Sequence, residues 1–153
     1  MKKTMLSAIF ILCFLIPIID AAPIYYPGTG HYYERVNETI EWPDAKTAAE
    51  QSVYLGIPGH LATITTPEED QWIQNNLGGT QSGPGYETPF AHFLGGYQEA
   101  NASHVAEGWI WITGEPWDFT NWSPGEPDDE NNQSVLAYNG LYWSDTQLDN
   151  HWL

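Results

Sequence analysis

The chain has almost no cysteine and almost no positive charge. Of its 153 residues one is cysteine and four are Lys or Arg, against 20 Asp or Glu. That cysteine, Cys13, sits with Lys2 and Lys3 in an N-terminal segment that reads Met1-Lys2-Lys3, an apolar run from Met5 to Ile19, then Asp20-Ala21-Ala22-Pro23. A charged start, an apolar middle and a small-residue end are the order of a secretory signal peptide. We assign residues 1–21 to it, because a cut after Ala22 would place Pro23 directly beyond the scissile bond. The run is short for a membrane span, and nothing later in the chain is apolar enough to be one. The expectation is an exported protein with no stable membrane span after signal removal, secreted and extracellular, or periplasmic in a Gram-negative cell. A retained N-terminal anchor is the alternative.

Each shortage excludes something. Loss of Lys2, Lys3 and Asp20 turns the formal charge of −16 into −17 and leaves Arg35 and Lys46 as the fixed cations. Phosphate-backbone binding depends on clustered cations that release counterions, so a nucleic-acid partner is excluded. With Cys13 gone no disulfide can form, and stability must come from burial, with metal as a second source. Eight Trp and nine Tyr supply much of the apolar area, enough for one modest core. An excess of one charge repels itself unless cations condense on it. A divalent ion would relieve that repulsion; a surface suited to a salty medium accounts for the charge equally well.

Along the chain, residues 22–30 are punctuated by Pro and Gly and read as a linker, with one domain over 31–153. His31 to Val36 is aromatic and branched, the composition of a strand. Thr39 to Gln51 predicts a helix, with Thr39 as cap, Pro43 in the first turn and Ala45, Ala48 and Ala49 inward. Leu61 to Ile64 reads as a short strand. Thr66-Pro67-Glu68-Glu69 is a capping box with Pro at the first helical position, opening a second helix to about Leu77 before Gly78-Gly79. Residues 79–89 read as a loop, Phe90 to Gly96 and Trp109 to Ile112 as strands. From Gly114 to Asn132 no period is visible, and irregular stretches of that length in small domains are usually functional. Val135 to Tyr138 and Leu141 to Trp143 flank an Asn139-Gly140 turn. Helices segregated early among short strands make an α+β fold.

The irregular stretch carries Glu126-Pro127-Asp128-Asp129-Glu130, four carboxylates in five residues, with Asp145 beyond the following hairpin. Calcium takes six to eight hard oxygen ligands, and such a loop can supply them from carboxylates, Asn side chains and backbone. An acidic run alone is usually a solvated surface. Pro127 between the first two acids is what orients both toward one ion, the more so with a cis bond.

The chain resembles a C-type lectin-like domain. The resemblance rests on Gly59-His60-Leu61-Ala62-Thr63-Ile64, Pro67-Glu68-Glu69, Phe93-Leu94-Gly95-Gly96, Glu107-Gly108-Trp109-Ile110-Trp111, Phe119-Thr120-Asn121-Trp122, Gly125-Glu126-Pro127-Asp128 and Trp143-Ser144-Asp145, in the family's order over nearly the whole mature chain. The family's disulfides are absent, as in many bacterial-looking members. The resemblance implies a fold of two early helices, small antiparallel sheets and a long calcium-binding loop. It implies a calcium ion (Ca2+) held by Glu126, Asp128 and Asp145, with Asn132 standing where members often have Glu and Ser144 where they have Asn. Glu107 and Asp129 match positions of an auxiliary calcium site. Sugar hydroxyls complete the calcium shell in sugar-binding members, so Glu126, Asp128, Asn132 and Ser144 are also the expected contacts for a carbohydrate or glycoconjugate. After Asp145 members continue into a last strand that pairs with the first, and here only His151-Trp152-Leu153 remain, a closing strand that looks truncated.

The signature is mixed. Glu126 with Asp128 offers hydrogen-bond acceptors only, so donors to a sugar must come from Asn131, Asn132, Ser144 or water. That arrangement favours the metal over the sugar and keeps a calcium-stabilised adhesion or protein-binding module on the same fold as the alternative. Trp117 is the one tryptophan retained as a ligand candidate, while Trp109, Trp111, Trp122 and Trp143 are expected in the core. The five histidines show no metal-ligand spacing. Asn37, Asn101, Asn121 and Asn132 head glycosylation triplets, which matter only in a eukaryotic secretory route. A glycoside-acting enzyme is the least supported reading: it needs two separated carboxyls of unlike pKa, and no nucleophile elbow or phosphate loop appears. The expectation is therefore a binding module and not an enzyme.

Overall fold

In a computed structural model of the chain, residues 22–77 and 91–149 are described. Ten elements follow one another: β1 (Ile24–Tyr26), β2 (His31–Tyr33), α1 (Trp42–Gln51), β3 (Val53–Tyr54), β4 (Ile57–Pro58), α2 (Pro67–Leu77), β5 (Ala91–Gln98), β6 (Trp109–Trp111), β7 (Val135–Asn139) and β8 (Tyr142–Thr146). Two two-stranded hairpins, β1-β2 and β3-β4, accompany one four-stranded antiparallel sheet in the order β6-β5-β7-β8. This is the expected α+β architecture. Among the described residues no helix is long and apolar enough to cross a membrane. The expected signal segment, the whole 79–89 loop and the expected closing segment His151-Trp152-Leu153 lie outside them.

The second helix follows its local signals. Glu69 N donates to Thr66 Oγ1 at 3.2 Å, the cap bond expected of Thr66. The Glu69 carboxylate accepts from Thr65 N at 2.8 Å and from the Tyr33 hydroxyl, so the reciprocal half of the box closes one residue earlier. Glu69 and Asp70 are both buried, with Ile73 and Gln74 a turn later.

Four local expectations are corrected. Residues 22–30 are not a plain linker: β1 pairs with β2 in the register Ile24↔Tyr33, Tyr25↔Tyr32 and Tyr26↔His31, and Tyr26 packs on Trp72 with ring centroids 5.1 Å apart. The Pro and Gly residues there shape a hairpin turn, with Gly30 at φ 82. The first helix begins at Trp42, with Glu41 as N-cap and no side-chain cap bond. Its buried residue is Trp42, whose Nε1 donates to Leu94 O at 2.8 Å, and Ala48 is exposed. Leu61 to Ile64 forms no strand, although Gly95 N donates to Ala62 O at 2.8 Å. The last hairpin pairs Asn139 with Tyr142, so its connection is Gly140-Leu141, and Gly140 at φ 69 takes the first central position, where a II′ turn needs glycine.

The core lies between the sheet and α2, around Ile64, Ile73, Leu94, Trp109, Trp111, Leu136, Tyr138 and Trp143. Gly95 and Gly96 are a close approach. A Cβ on Gly95 would meet Leu61 O at 2.8 Å and one on Gly96 would meet Leu136 Cδ2 at 2.8 Å, and there the β5-β7 register shifts between Phe93 and Tyr97. One buried carboxylate ties the layers. Asp70 Oδ1 accepts from Tyr138 Oη at 2.6 Å and Trp143 Nε1 at 3.2 Å, while Oδ2 accepts from Gln74 Nε2 at 2.6 Å and Asn121 Nδ2 at 2.9 Å. Helix α2, strands β7 and β8 and the start of the long loop meet on that side chain.

Candidate metal centre

The long loop is irregular, yet its base is fixed to β8 by backbone. Trp143 N donates to Asn121 O and Ser123 N donates to Trp143 O, both at 2.7 Å, which makes a parallel bridge between Trp122 and Trp143. Asn121 is held in turn by its Nδ2 bonds to Asp70 and, at 2.9 Å, to Leu141 O. From this anchor the chain turns through Pro124 and Gly125, the latter at φ 100, and Glu126 N donates to Ser123 O at 2.9 Å. The Glu126–Pro127 peptide is cis.

Beyond Pro127 the loop folds onto Asp145. Asp129 N donates to Asp145 Oδ2 at 2.9 Å and Asp128 N to Asp145 Oδ1 at 3.3 Å. Glu130 N closes on Asp128 Oδ1 at 2.9 Å. Asp129, Asn131 and Asn132 have φ of 56, 64 and 62, a conformation that Asp and Asn tolerate better than other side chains with a Cβ. Gln147 Nε2 fastens the far side by donating to Asn131 O at 2.7 Å.

The outcome is a three-carboxylate cluster. One oxygen each from Glu126, Asp128 and Asp145 lies within 4.8 Å of the others. Asp145 is buried on β8, Glu126 is half-buried and Asp128 is exposed, so the cluster opens to solvent on the loop side. Oxygens bound to one calcium at about 2.3–2.6 Å can stand no farther apart than about 5 Å, so these three fit inside a single shell. Among the described residues it is the one such group of three or more His, Cys, Asp or Glu.

Charge makes the cluster an unfavourable place without a cation. Glu126 Oε2 is buried with no donor, and its neighbours are the carboxylates of Asp145 and Asp128. A hydrogen bond between Glu126 and Asp145 requires a proton taken up between them. Burial, the contact with Asp145 and the charge of Asp128 accordingly push the Glu126 carboxyl up to about 8. A hard divalent ion would satisfy the same oxygens and remove the repulsion. The donor set therefore fits calcium, with ligands beyond the three carboxylates to come from backbone, amide oxygens, water or a bound hydroxyl.

The other candidates separate. Asn132 is exposed in the turn after Glu130, its N donating to Asp129 O at 3.3 Å. Ser144 is buried on β8 opposite Ala137, and the three carboxylates close on one another without it. Glu107 is exposed and accepts from Ser103 Oγ at 2.7 Å; neither it nor Asp129 joins a second acidic cluster among the described residues. Trp117 is packed into an aromatic group, with ring centroids 4.4 Å from Trp111, 5.9 Å from Trp109 and 5.9 Å from Trp143. It braces the sheet beneath the loop. Sequence reasoning missed Asp70, Asn121 as an anchor, and Gln147, because their partners are distant in the chain.

No family model matches the sequence. Among curated proteins, Halomucin of Haloquadratum walsbyi is 29% identical over 115 residues, which is 75% of this chain and 1% of Halomucin. Perlucin of Haliotis laevigata is 29% identical over 72 residues, 47% of this chain and 40% of Perlucin. The chain thus spans a very small part of the first and less than half of the second. Among solved structures, the C-type lectin CEL-I from Cucumaria echinata superposes with a TM-score of 0.63 at 20% identity, over 79% of this chain and 84% of that one. The carbohydrate-recognition domain of the mouse scavenger receptor C-type lectin gives 0.59 at 26% identity, over 79% and 84%. A calcium-independent type II antifreeze protein gives 0.53 at 24% identity, over 74% and 75%. Strand order, helix placement and these superpositions agree with the ordered motifs: the chain has the C-type lectin-like fold.

Proposed function

We propose that this is an exported, calcium-dependent carbohydrate-binding module and not an enzyme. The observation that carries the proposal is the carboxylate triad Glu126, Asp128 and Asp145, gathered within one calcium shell on a loop stapled to β8. The buried, donorless Glu126 Oε2 supports a cation there. The exposed side at Asp128 and Asn132 supports a further ligand entering the shell, and a vicinal diol supplies two hard oxygens at suitable spacing. Asn131 and Asn132 are the side chains that can donate hydrogen bonds to it. Similarity to a lectin and to a carbohydrate-recognition domain points the same way. Glu107 with Asp129 remains the candidate auxiliary site, and Ser144 and Trp117 act through the scaffold.

The test is a glycan array probed with the secreted protein in calcium and again in excess chelator. Carbohydrate binding lost on chelation and restored by calcium is the expected result. Binding unaffected by chelator refutes the calcium dependence, and no binding on a broad array refutes the sugar.

A second reading is favoured by one observation, that Glu126 and Asp128 offer acceptors only and no amide donor pairs with them in the triad. The domain is then a calcium-stabilised adhesion or protein-binding module. The antifreeze protein among the similar structures bears a name with no sugar in it. Calcium raising the melting temperature with no glycan retained, and a protein ligand retained instead, selects this reading.

A further inference from the structure

The β3-β4 hairpin is built against its own turn chemistry. Tyr54 pairs with Ile57, so the connection is Leu55-Gly56, with φ of 52 and 81. Two successive positive φ values make a I′ turn, whose first position favours Asn, Asp or Gly. A leucine there is disfavoured by its Cβ, and this leucine is also 70% exposed. Asn would relieve both the backbone and the solvation. Residues held in sparsely populated backbone regions concentrate where a partner is met.

The surroundings of Leu55 are of one kind. Val53 is 66% and Ile57 63% exposed. Behind them Tyr54, Tyr32 and Tyr25 form a continuous row, ring centroids 5.0 Å apart at each step, which joins the β3-β4 hairpin to the β1-β2 hairpin. Residues 22–33 and 51–67 contain no Asp, Glu, Lys or Arg, in a chain whose formal charge is −16. The result is an uncharged, exposed surface with aliphatic side chains at the hairpin turn and tyrosines beside it.

We propose that this hairpin is a lipid contact: Leu55, with Val53 and Ile57, enters the outer acyl region of a zwitterionic bilayer, while Tyr25, Tyr32 and Tyr54 lie at the headgroups. Tyrosine prefers that depth because its ring is apolar and its hydroxyl is not. Charge selects the lipid. The neutral face meets a neutral surface and the acids stay in water, whereas anionic lipid would repel the chain. Charge also selects lipid over a second copy, because two chains of formal charge −16 repel one another, while a zwitterionic surface carries no net charge.

The experiment is cosedimentation of the secreted protein, its N terminus sequenced to establish loss of the leader, with phosphatidylcholine vesicles in calcium and in chelator. Wild type is expected to pellet with the vesicles in both. Leu55→Asn is expected to lower the partition constant about tenfold with a melting temperature equal to wild type or higher, so that loss of binding cannot be loss of fold. Absence of wild-type cosedimentation overturns the proposal, as does equal partition of Leu55→Asn. Binding that needs calcium overturns it too, since that result belongs to the carboxylate triad. A concentration-dependent dimer that Leu55→Asn dissolves, with no vesicle binding, assigns the patch to a second copy instead.

Discussion

Two groups of acids in this domain differ in what faces them. On α2, Asp70 meets four donors from Tyr138, Trp143, Gln74 and Asn121, and Glu69 meets the Tyr33 hydroxyl and Thr65 N. On the loop, Glu126 meets the carboxylates of Asp145 and Asp128 and has an oxygen with no donor at all. Burial raises the proton affinity of Asp70 and Glu126 alike. At Asp70 the hydrogen bonds from Tyr138, Trp143 and Asn121 pull it back down, whereas at Glu126 the neighbouring acids push the same way as burial. The first group is completed by the polypeptide and is structural. The second is not, and that asymmetry is the support for the proposed calcium site.

The largest effect expected from breaking this comparison is at the satisfied site. Asp70→Ala strands the Tyr138 hydroxyl and the Trp143 indole N–H, both on buried side chains. It should lower unfolding free energy by about 3 kcal/mol or more, since unpaired buried donors carry their full desolvation cost. Denaturant unfolding measures it. A loss below about 1 kcal/mol would mean that the network contributes little and the comparison fails.

The next effect is on the unsatisfied site and has the opposite dependence on metal. Calcium at about 100 times its dissociation constant should stabilise the wild type by about 2.7 kcal/mol, seen as a rise in melting temperature. Asp145→Ala should abolish that rise. It also removes the acceptor of Asp128 N and Asp129 N, so the metal-free variant should be less stable as well. Wild type indifferent to calcium would refute the metal centre.

How much of this was legible in the sequence depended on how far apart the partners lie. Helix α2 was legible because Thr66, Pro67 and Glu69 are neighbours and their chemistry is local. The cluster was legible from Pro127 between two acids and from the family resemblance, which implies Asp145 of Trp143-Ser144-Asp145 as their partner. The hairpin of β1 and β2 was obscured because Pro23, Pro27, Gly28 and Gly30 read as a linker until Tyr26 is seen to pack on Trp72. Leu61 to Ile64 had strand composition, but tertiary packing against Gly95 replaced the ladder. The Asp70 network was invisible, since Asn121, Tyr138 and Trp143 lie 51, 68 and 73 residues away. For Trp117, composition alone could not distinguish an indole offered to a ligand from one packed on Trp109 and Trp111.

The smallest expected effect is also the most specific, because it concerns a single proton. Glu126 stands at about 8 in the metal-free fold against an ordinary 4.5. A carboxyl raised by folding keeps a proton that the unfolded chain releases, so its contribution to stability is complete below pH 4.5 and is lost as pH rises through about 8. The melting temperature of metal-free wild type should therefore decline across that window. Asp70 is shifted in the same direction, so the difference between wild type and Glu126→Gln isolates the loop, and the variant should lack Glu126's share of the decline. Calcium must displace the same proton. Its apparent affinity should climb with pH and level off above about 8, with most of a proton released per ion at neutral pH in calorimetry across buffers of different ionisation enthalpy. Two results would break the account: a Gln variant that tracks wild type at every pH, or calcium binding by wild type with no proton released.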